Sequence, residues 1–443
     1  MATLYKPNLM SMKSVNESKA NKENTAKKKI RIAFVKYAGL SAGGTEKFLQ
    51  TIAANLPKSR FSVDYYYCEA TPYIGSSYKA SPNDSFRKKY LEENGINLIK
   101  FNVGAKDVTT YTHDWVNTDF WKKFDEKDYD IIQTGIAGRP EYPFYKIRNT
   151  PIIDSIHLTA GVSNQFNVAR VMHICQWNAN KWIARGGDRN RVVLVSHPLQ
   201  VSHNPRDNLR KQLRLEKKFV FGMHQRADDS IFSPIPLAAY KQIEADDEKN
   251  NKVDRTHFLF LGGSKLYREQ AKQLGIKNIT FIPHTGERKK IFQFLATLDV
   301  YAHGRKDGEV NSTALGEALY FGTPVVSHYS KTNNGHVECL AKAGLVAKTT
   351  EEYVDYLRLL LNNPAIYKKM RAQAYERFAT LYELNSQMKN IISIYDDVLR
   401  NPFPNKSKRR RLDFVQRAVI IPLGNVAVKT IYFVDKYVLM KKL

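Results

Sequence analysis

One pattern limits the folds open to this 443-residue chain more than any other: short apolar runs closed by Gly, His or Ser, separated by stretches of helical periodicity. The pattern occurs twice. The first series begins at RIAFVKYAG, which runs into the glycine turn and helical pattern of GLSAGGTEKFLQTIAANLP, and SVDYYYC, INLIKFNV, DIIQTGI and PIIDSIH continue it. Such alternation predicts a parallel sheet, because successive parallel strands need a crossover and the crossover helices cover both faces. After WIARGGDRNRVVLVSHPL the pattern pauses through the basic stretch VSHNPRDNLRKQLRLEKK. It restarts with FVFGMH, HFLFLGG, NITFIPH, LDVYAHG and TPVVSHYS, with AYKQIEA, YREQAKQLG, ERKKIFQFLATL and ALGEALYFG as helices between them. From TTEEYVDYLRLLLNN to Arg400 the chain reads as helix. The fold class expected is α/β, with two doubly wound Rossmann-like domains, 29–198 and 199–400, between a basic leader at 1–28 and a basic amphipathic tail at 401–443.

Charge narrows the partners without choosing among them. The net charge is +26, of which residues 1–31 carry +6 and residues 406–443 carry +8, so the tails hold more than half of the excess. Nucleic acid, an acidic membrane surface and phosphorylated substrates all suit such a balance. The leader has no continuous apolar segment of signal-peptide type and reads as a disordered Lys- and Asn-rich extension. In the tail, the basic cluster Lys408 to Arg411 precedes aromatic and aliphatic residues, and the longest uncharged run, Ala418 to Val428, has 11 residues with Pro422 and Gly424 inside it. About 20 residues are needed to cross a bilayer. A segment lying in the interface of an anionic membrane is expected, against the alternatives of a helix docked on the protein and a nuclear-type basic cluster. Cys68, Cys175 and Cys339 are widely spaced and odd in number, which argues against a disulfide framework or zinc site and fits a cytoplasmic protein.

Doubly wound domains bind ligands beyond the carboxyl ends of their strands, so residues just after strands are the candidates. Gly43 and Gly44 precede a helix whose free amides favour an anion, although GGTEKF is neither a GxGxxG nor a Walker motif and a Gly-Gly turn is also ordinary structure. Arg226 follows the first strand of the second series and could hold a phosphate bidentately, or be one loop arginine in a chain with 69 Lys and Arg. In DGEVNSTALGEALYFGTPVV, Glu309 falls on a loop before a helix that starts at Ser312, Thr313 and Ala314, and Glu317 falls a turn inside it. Two acids so placed can reach separated hydroxyls of one elongated ligand, with the helix terminus holding an anion between them.

Residues Glu309 and Glu317 form an EX7E pattern, and EVNSTALGEALYFGTPVV resembles the donor-site signature of retaining glycosyltransferases of family 4, which have the GT-B fold of two Rossmann-like domains facing across a cleft. The resemblance covers about residues 29 to 400, with the Gly-Gly loop, the second-domain arginine and the EX7E segment in the family's order. It implies transfer of a sugar from a nucleotide diphosphate sugar to a hydroxyl of a glycan or lipid-linked acceptor, with no cofactor beyond that co-substrate and no metal. Glu309 and His157 would act at the reacting sugar, and Glu317 would bind the ribose. Asn311, Ser312, Thr313 and Arg226 would meet the diphosphate or sugar, and Gly43 and Gly44 would line the cleft. The Asp-Tyr-Asp at 128–130 leads straight into a strand and is read as loop, not as a metal site. The family's lysine after the arginine is replaced here by ADDSIF, so Lys265, Arg305 or Lys306 must supply the charge, or the diphosphate is held less strongly. Two other classes stay open: a nucleic-acid-binding protein, disfavoured because the basic excess sits in the tails, and another GT-B enzyme such as a sugar-nucleotide epimerase.

Overall fold

The computed structural model describes residues 28–36, 40–41, 43–68, 84–102, 119–136, 147–158 and 167–403, with Leu423 and Val426 besides. The readings of the leader and of the tail beyond 403 lie outside these residues, apart from those two positions and residue 28. Among the described residues the first sheet consists of β1 (Ile30–Lys36), β2 (Phe61–Cys68), β3 (Asn97–Phe101), β4 (Ile131–Ile136), β5 (Ile152–Ile156), β6 (Val168–His173) and β7 (Val192–Leu194). Their spatial order is β3-β2-β1-β4-β5-β6-β7, and each neighbouring pair among the described residues is parallel. The second sheet runs β10-β9-β8-β11-β13-β15, from β8 (Phe219–Gln225), β9 (Thr256–Gly262), β10 (Ile279–Ile282), β11 (Val300–Ala302), β13 (Val325–His328) and β15 (Gly344–Ala347). A two-stranded ribbon of β12 (Gly308–Glu309) and β14 (Asn333–Asn334) stands beside it. In both sheets the chain lays three strands outward and then returns to the other side of the first, the doubly wound pattern that opens a crevice at the strands' carboxyl ends. The fold is GT-B, as the alternation and the EX7E resemblance led one to expect.

Period-two alternation explains why both faces of the first sheet need covering. In β1, Ile32 and Phe34 point into one core and Ala33 and Val35 into the other, and all four are buried. One face is covered by α1 (Gly44–Asn55), which contributes Phe48, Leu49, Ile52 and Ala53. The opposite face takes Phe120 of α3 (Phe120–Lys123), Phe124 and Trp182 of α4 (Gln176–Ala184). Between them in the chain, α2 (Ser85–Glu93) starts at Asp84, whose carboxylate accepts from the amides of Phe86 and Arg87. In the second domain α5 (Ile235–Lys249), α6 (Lys265–Gln273), α7 (Arg288–Thr297), α8 (Thr313–Tyr320), α9 (Gly335–Leu340), α10 (Thr350–Asn362) and α11 (Pro364–Leu381) follow the expected alternation.

Two features depart from the sequence reading. Strands β6, β7 and β15 were not anticipated: β6 carries Arg170 and His173 among its apolar residues, and β7 and β15 are three and four residues long. The last helix, α12 (Leu384–Arg400), was grouped by sequence with the second domain but packs on the first. Met388, Ile391, Ile394, Tyr395 and Val398 enter the core shared with α1, Tyr395 Oη donates to Gln133 Oε1 at 3.2 Å, and Arg170 pairs with Asp397 at 2.5 Å. Helical periodicity reports an apolar face and not its partner, so sequence alone does not say which sheet this helix closes.

Candidate functional site

The ends of β8, β11 and β12 and the start of α8 bring the second-domain candidates together. Gly308, at φ +65, permits the turn before Glu309; a Cβ there would meet the carbonyl oxygen of Asn333 at 1.9 Å. Glu309 is partly buried and accepts from Arg305 Nη1 at 3.2 Å, while Arg305 also grips Asp307 through Nε at 2.5 Å and Nη2 at 2.9 Å. Burial pushes the Glu309 carboxyl above its ordinary range, against the pull of Arg305 and, from farther off, of Arg226. Glu317, a turn inside α8, is buried and accepts from Arg288 Nη1 at 2.6 Å. Ser312 is the N-cap of α8 without a side-chain capping bond, which leaves the first-turn amides unserved by it. EX7E thus sets two carboxylates on either side of a helix N-terminus, each beside its own arginine.

Arg226 projects from the end of β8 and pairs with Asp228 at 2.8 Å. It shares an open recess with Asp228, Asp229, Ser230, Ser264 and Lys265, the last residue beginning α6. Of the three substitutes considered for the missing family lysine, Lys265 therefore lies beside Arg226. Arg305 is committed to Asp307 and Glu309.

Asn311 is held differently from the sequence expectation. Its Nδ2 donates to the Ile174 carbonyl at 2.8 Å and to Ser196 Oγ at 2.9 Å, and its Oδ1 accepts from Tyr382 Oη at 2.8 Å. The side chain ties the second-domain loop to the first domain. Cys175 and Cys339, from opposite domains, both direct their thiols at the Val310 carbonyl, at 3.4 and 3.9 Å. Glu338 accepts from the amides of Gln176 and Trp177 at 2.6 and 2.7 Å and so caps α4 from across the boundary. The Asp128 and Asp130 carboxylates both serve Arg31, at its guanidinium and its amide.

On the first-domain side, Gly43 is the N-cap of α1 with ordinary extended geometry, and a Cβ there would press on the Glu46 carboxylate at 2.2 Å. That carboxylate pairs with buried Lys36 at 3.5 Å. A Cβ on Gly44 would meet nothing within 4 Å among the described residues. His157, one residue past β5, is 5% exposed, and neither ring nitrogen has a hydrogen-bond partner. It lies edge-on to Phe48 at 4.7 Å and 5.4 Å from the His197 ring. Burial, then His197 and Lys36, drive its pKa far below the ordinary histidine value, while burial and Lys47 hold His197 at about 4. Both imidazoles are neutral near pH 7.

A cavity of about 310 Å³ lies between the domains, lined by Lys47, Phe48 and Thr51 of α1, Arg87 and Tyr90 of α2, His197, Arg288, Thr313 and Glu317 among others. Lys47, Arg87, His197 and Arg288 were absent from the sequence candidates. Nothing in spacing distinguishes them from other surface cations; only the folding of α1 and α2 against α7 and α8 brings them together.

No curated protein matches the chain. Residues 206–377 match the family described as Glycosyl transferases group 1. The structure is similar to Anabaena Alr3699/HepE in complex with UDP and glucose, at TM-score 0.62 and 17% identity over 83% of this chain and 100% of that one. It is also similar to a glycosyltransferase from Rickettsia africae ESF-5, at 0.64 and 14% over 84% and 99%. Sucrose-phosphate synthase from Thermosynechococcus elongatus resembles it at 0.60 and 14% over 84% and 100%. The described residues therefore have the GT-B fold, and the second domain, which holds Glu309 and Glu317, matches group 1 glycosyltransferases over residues 206–377.

Proposed function

We propose that the protein is a retaining glycosyltransferase of the EX7E, family 4 type, moving a sugar from a nucleotide diphosphate sugar to a hydroxyl of a glycan or lipid-linked acceptor. The observation that carries the reading is the pair Glu309 and Glu317, set on either side of the α8 N-terminus within the segment that matches group 1 glycosyltransferases. Glu309 meets the donor sugar and Glu317 the ribose hydroxyls. The diphosphate lies between them, served by the α8 amides and by Arg226 with Lys265. Cleavage of the bond from the anomeric carbon to the diphosphate leaves the electron pair on phosphate oxygen. The acceptor oxygen bonds to the same face of that carbon, and its proton passes to the departing phosphate. His157, buried with both nitrogens free of protein partners, offers a hydrogen bond near the reacting sugar from the first domain. Arginine, lysine and helix dipole supply the positive field that a metal would otherwise provide, so chelation leaves the rate unchanged in this reading. Release of UDP, GDP or ADP from a panel of sugar nucleotides tests the proposal. Absence of release with every donor, or equal rates in Glu309→Gln, would overturn it.

The basic amphipathic tail places the enzyme peripherally on the cytoplasmic face of an anionic membrane in this reading. Among the described residues no helix is long and apolar enough to cross a membrane. Flotation with anionic liposomes, with and without residues 406–443, tests the assignment, and equal flotation removes it.

A further inference from the structure

The cavity between the domains has the ribose residue Glu317 on its second-domain wall and, on its first-domain wall, positive charge to which the donor assignment gives no role. Three cations from three helices line it: Lys47 on α1, Arg87 on α2 and Arg288 at the start of α7. Glu317 is the sole carboxylate among the described lining residues, and Arg288 already pairs with it at 2.6 Å. Lys47 makes no side-chain hydrogen bond or ion pair among the described residues, and burial draws its ammonium pKa down despite the distant pull of Glu317. Arg87 donates from Nε to Gln50 Oε1 at 2.5 Å and lies over the Tyr90 ring at 4.6 Å. Its Nη2 is buried without a partner. Both cations are partly buried with no ion-pair partner among the described residues, only the weaker pull of Asp84 and, for Lys47, of Glu317, and an anion arriving between them offsets the cost of that burial. Phe48, Tyr90, Leu199 and Phe292 give the wall apolar surface beside the polar Thr51 and Gln200.

We propose that this cavity binds a phosphate monoester carried on an aromatic or apolar body, gripped by Lys47 and Arg87, and that this is the charged end of the acceptor. The site is separate from the Arg226–Lys265 recess assigned to the donor diphosphate. The proposal rests on the glycosyltransferase reading for its naming of the acceptor, whereas the anion site itself stands on the cavity.

Titration with phenyl phosphate, followed by intrinsic fluorescence and by the shift in unfolding midpoint, tests it without any turnover. Phenyl phosphate binds, and benzyl alcohol binds at least about tenfold more weakly, the margin of one charge-assisted hydrogen bond. Lys47→Met and Arg87→Gln each weaken binding by about tenfold or more, on the same grounds. Arg226→Gln, in the separate recess, leaves it unchanged. Arg87 is half-exposed, so its variant keeps the test available if Lys47→Met fails to fold. Equal binding of benzyl alcohol, or loss through Arg226→Gln instead of the first-domain variants, would overturn the proposal. Failure of every donor to release nucleotide would remove the glycosyltransferase reading while leaving this titration intact.

Discussion

Replacing Asn311 by alanine separates two roles for one residue. The sequence places Asn311 beside the donor, where it would contact diphosphate or sugar; the structure commits its amide to Ile174, Ser196 and Tyr382 at 2.8, 2.9 and 2.8 Å. Each bond is worth about 1 kcal/mol net, and each partner left buried and unpaired loses at least that much, so Asn311→Ala costs about 3 kcal/mol. Tyr382→Phe removes one of the three, for about 1 kcal/mol, leaving the Asn311 oxygen alone. Because the two side chains share that bond, the double variant is less destabilised than the sum by about 1 kcal/mol. Urea unfolding of the four proteins, followed by tryptophan fluorescence and by circular dichroism, measures the cycle. An Asn311→Ala midpoint equal to the parent, with donor affinity alone reduced, refutes the structural role. Strict additivity with Tyr382→Phe refutes the bond between them.

Other outcomes follow from the same coordinates. Arg226→Ala and Lys265→Ala should each raise the donor KM by about tenfold, the scale of one charge-assisted contact, with the unfolding midpoint unmoved; titration with UDP checks this. His173 and His197 have pKa values near 4, depressed chiefly by burial, against 6.5 in the unfolded chain. Their neutral burial thus contributes stability that is whole above pH 6.5 and lost as pH falls toward 4, at about 1.4 kcal/mol per pH unit for each. Urea midpoints from pH 7.5 to 4.5, repeated in His173→Gln and His197→Gln, should show the slope shrink in each variant. Ile391→Ala, in α12, should cost about 2–5 kcal/mol by cavity formation and should shift the unfolding of the first domain, read by hydrogen exchange of β1 and β4.

Sequence carried the architecture because the signal was local. Near-continuous apolar runs such as FVFGMH and HFLFLGG and the glycine turns between strand and helix are short-range consequences of sheet burial. Strand β6 escaped because Arg170 and His173 interrupt its apolar pattern, the arginine meeting Asp397 of α12 and the histidine Asn178 of α4 at 2.6 Å. The positions of Glu309, Glu317 and Arg226 at a strand end or a helix start were legible because those boundaries are marked in the sequence itself. The distinction between Lys265, Arg305 and Lys306 was not, since it depends on which carboxylate claims which cation. Nor did spacing reveal that Asn311 reaches Ser196, 115 positions away, or that Lys47 and Arg87 line one cavity with Arg288.

The return of α12 to the first sheet bears on how the chain acquires its shape as it is made. Residues 30–194 supply all seven strands of that sheet, yet the face carrying Ile32 and Phe34 is closed in part by Met388, Ile391, Ile394, Tyr395 and Val398. At a synthesis rate of about 5–20 residues per second, the two hundred residues from β7 to α12 take about 10–40 s to emerge. Throughout that interval the half made first holds an apolar face without its lid, while the half made later can close its own core first. Vectorial order and the order of completion are reversed, and the first domain is finished by the last helix of the second.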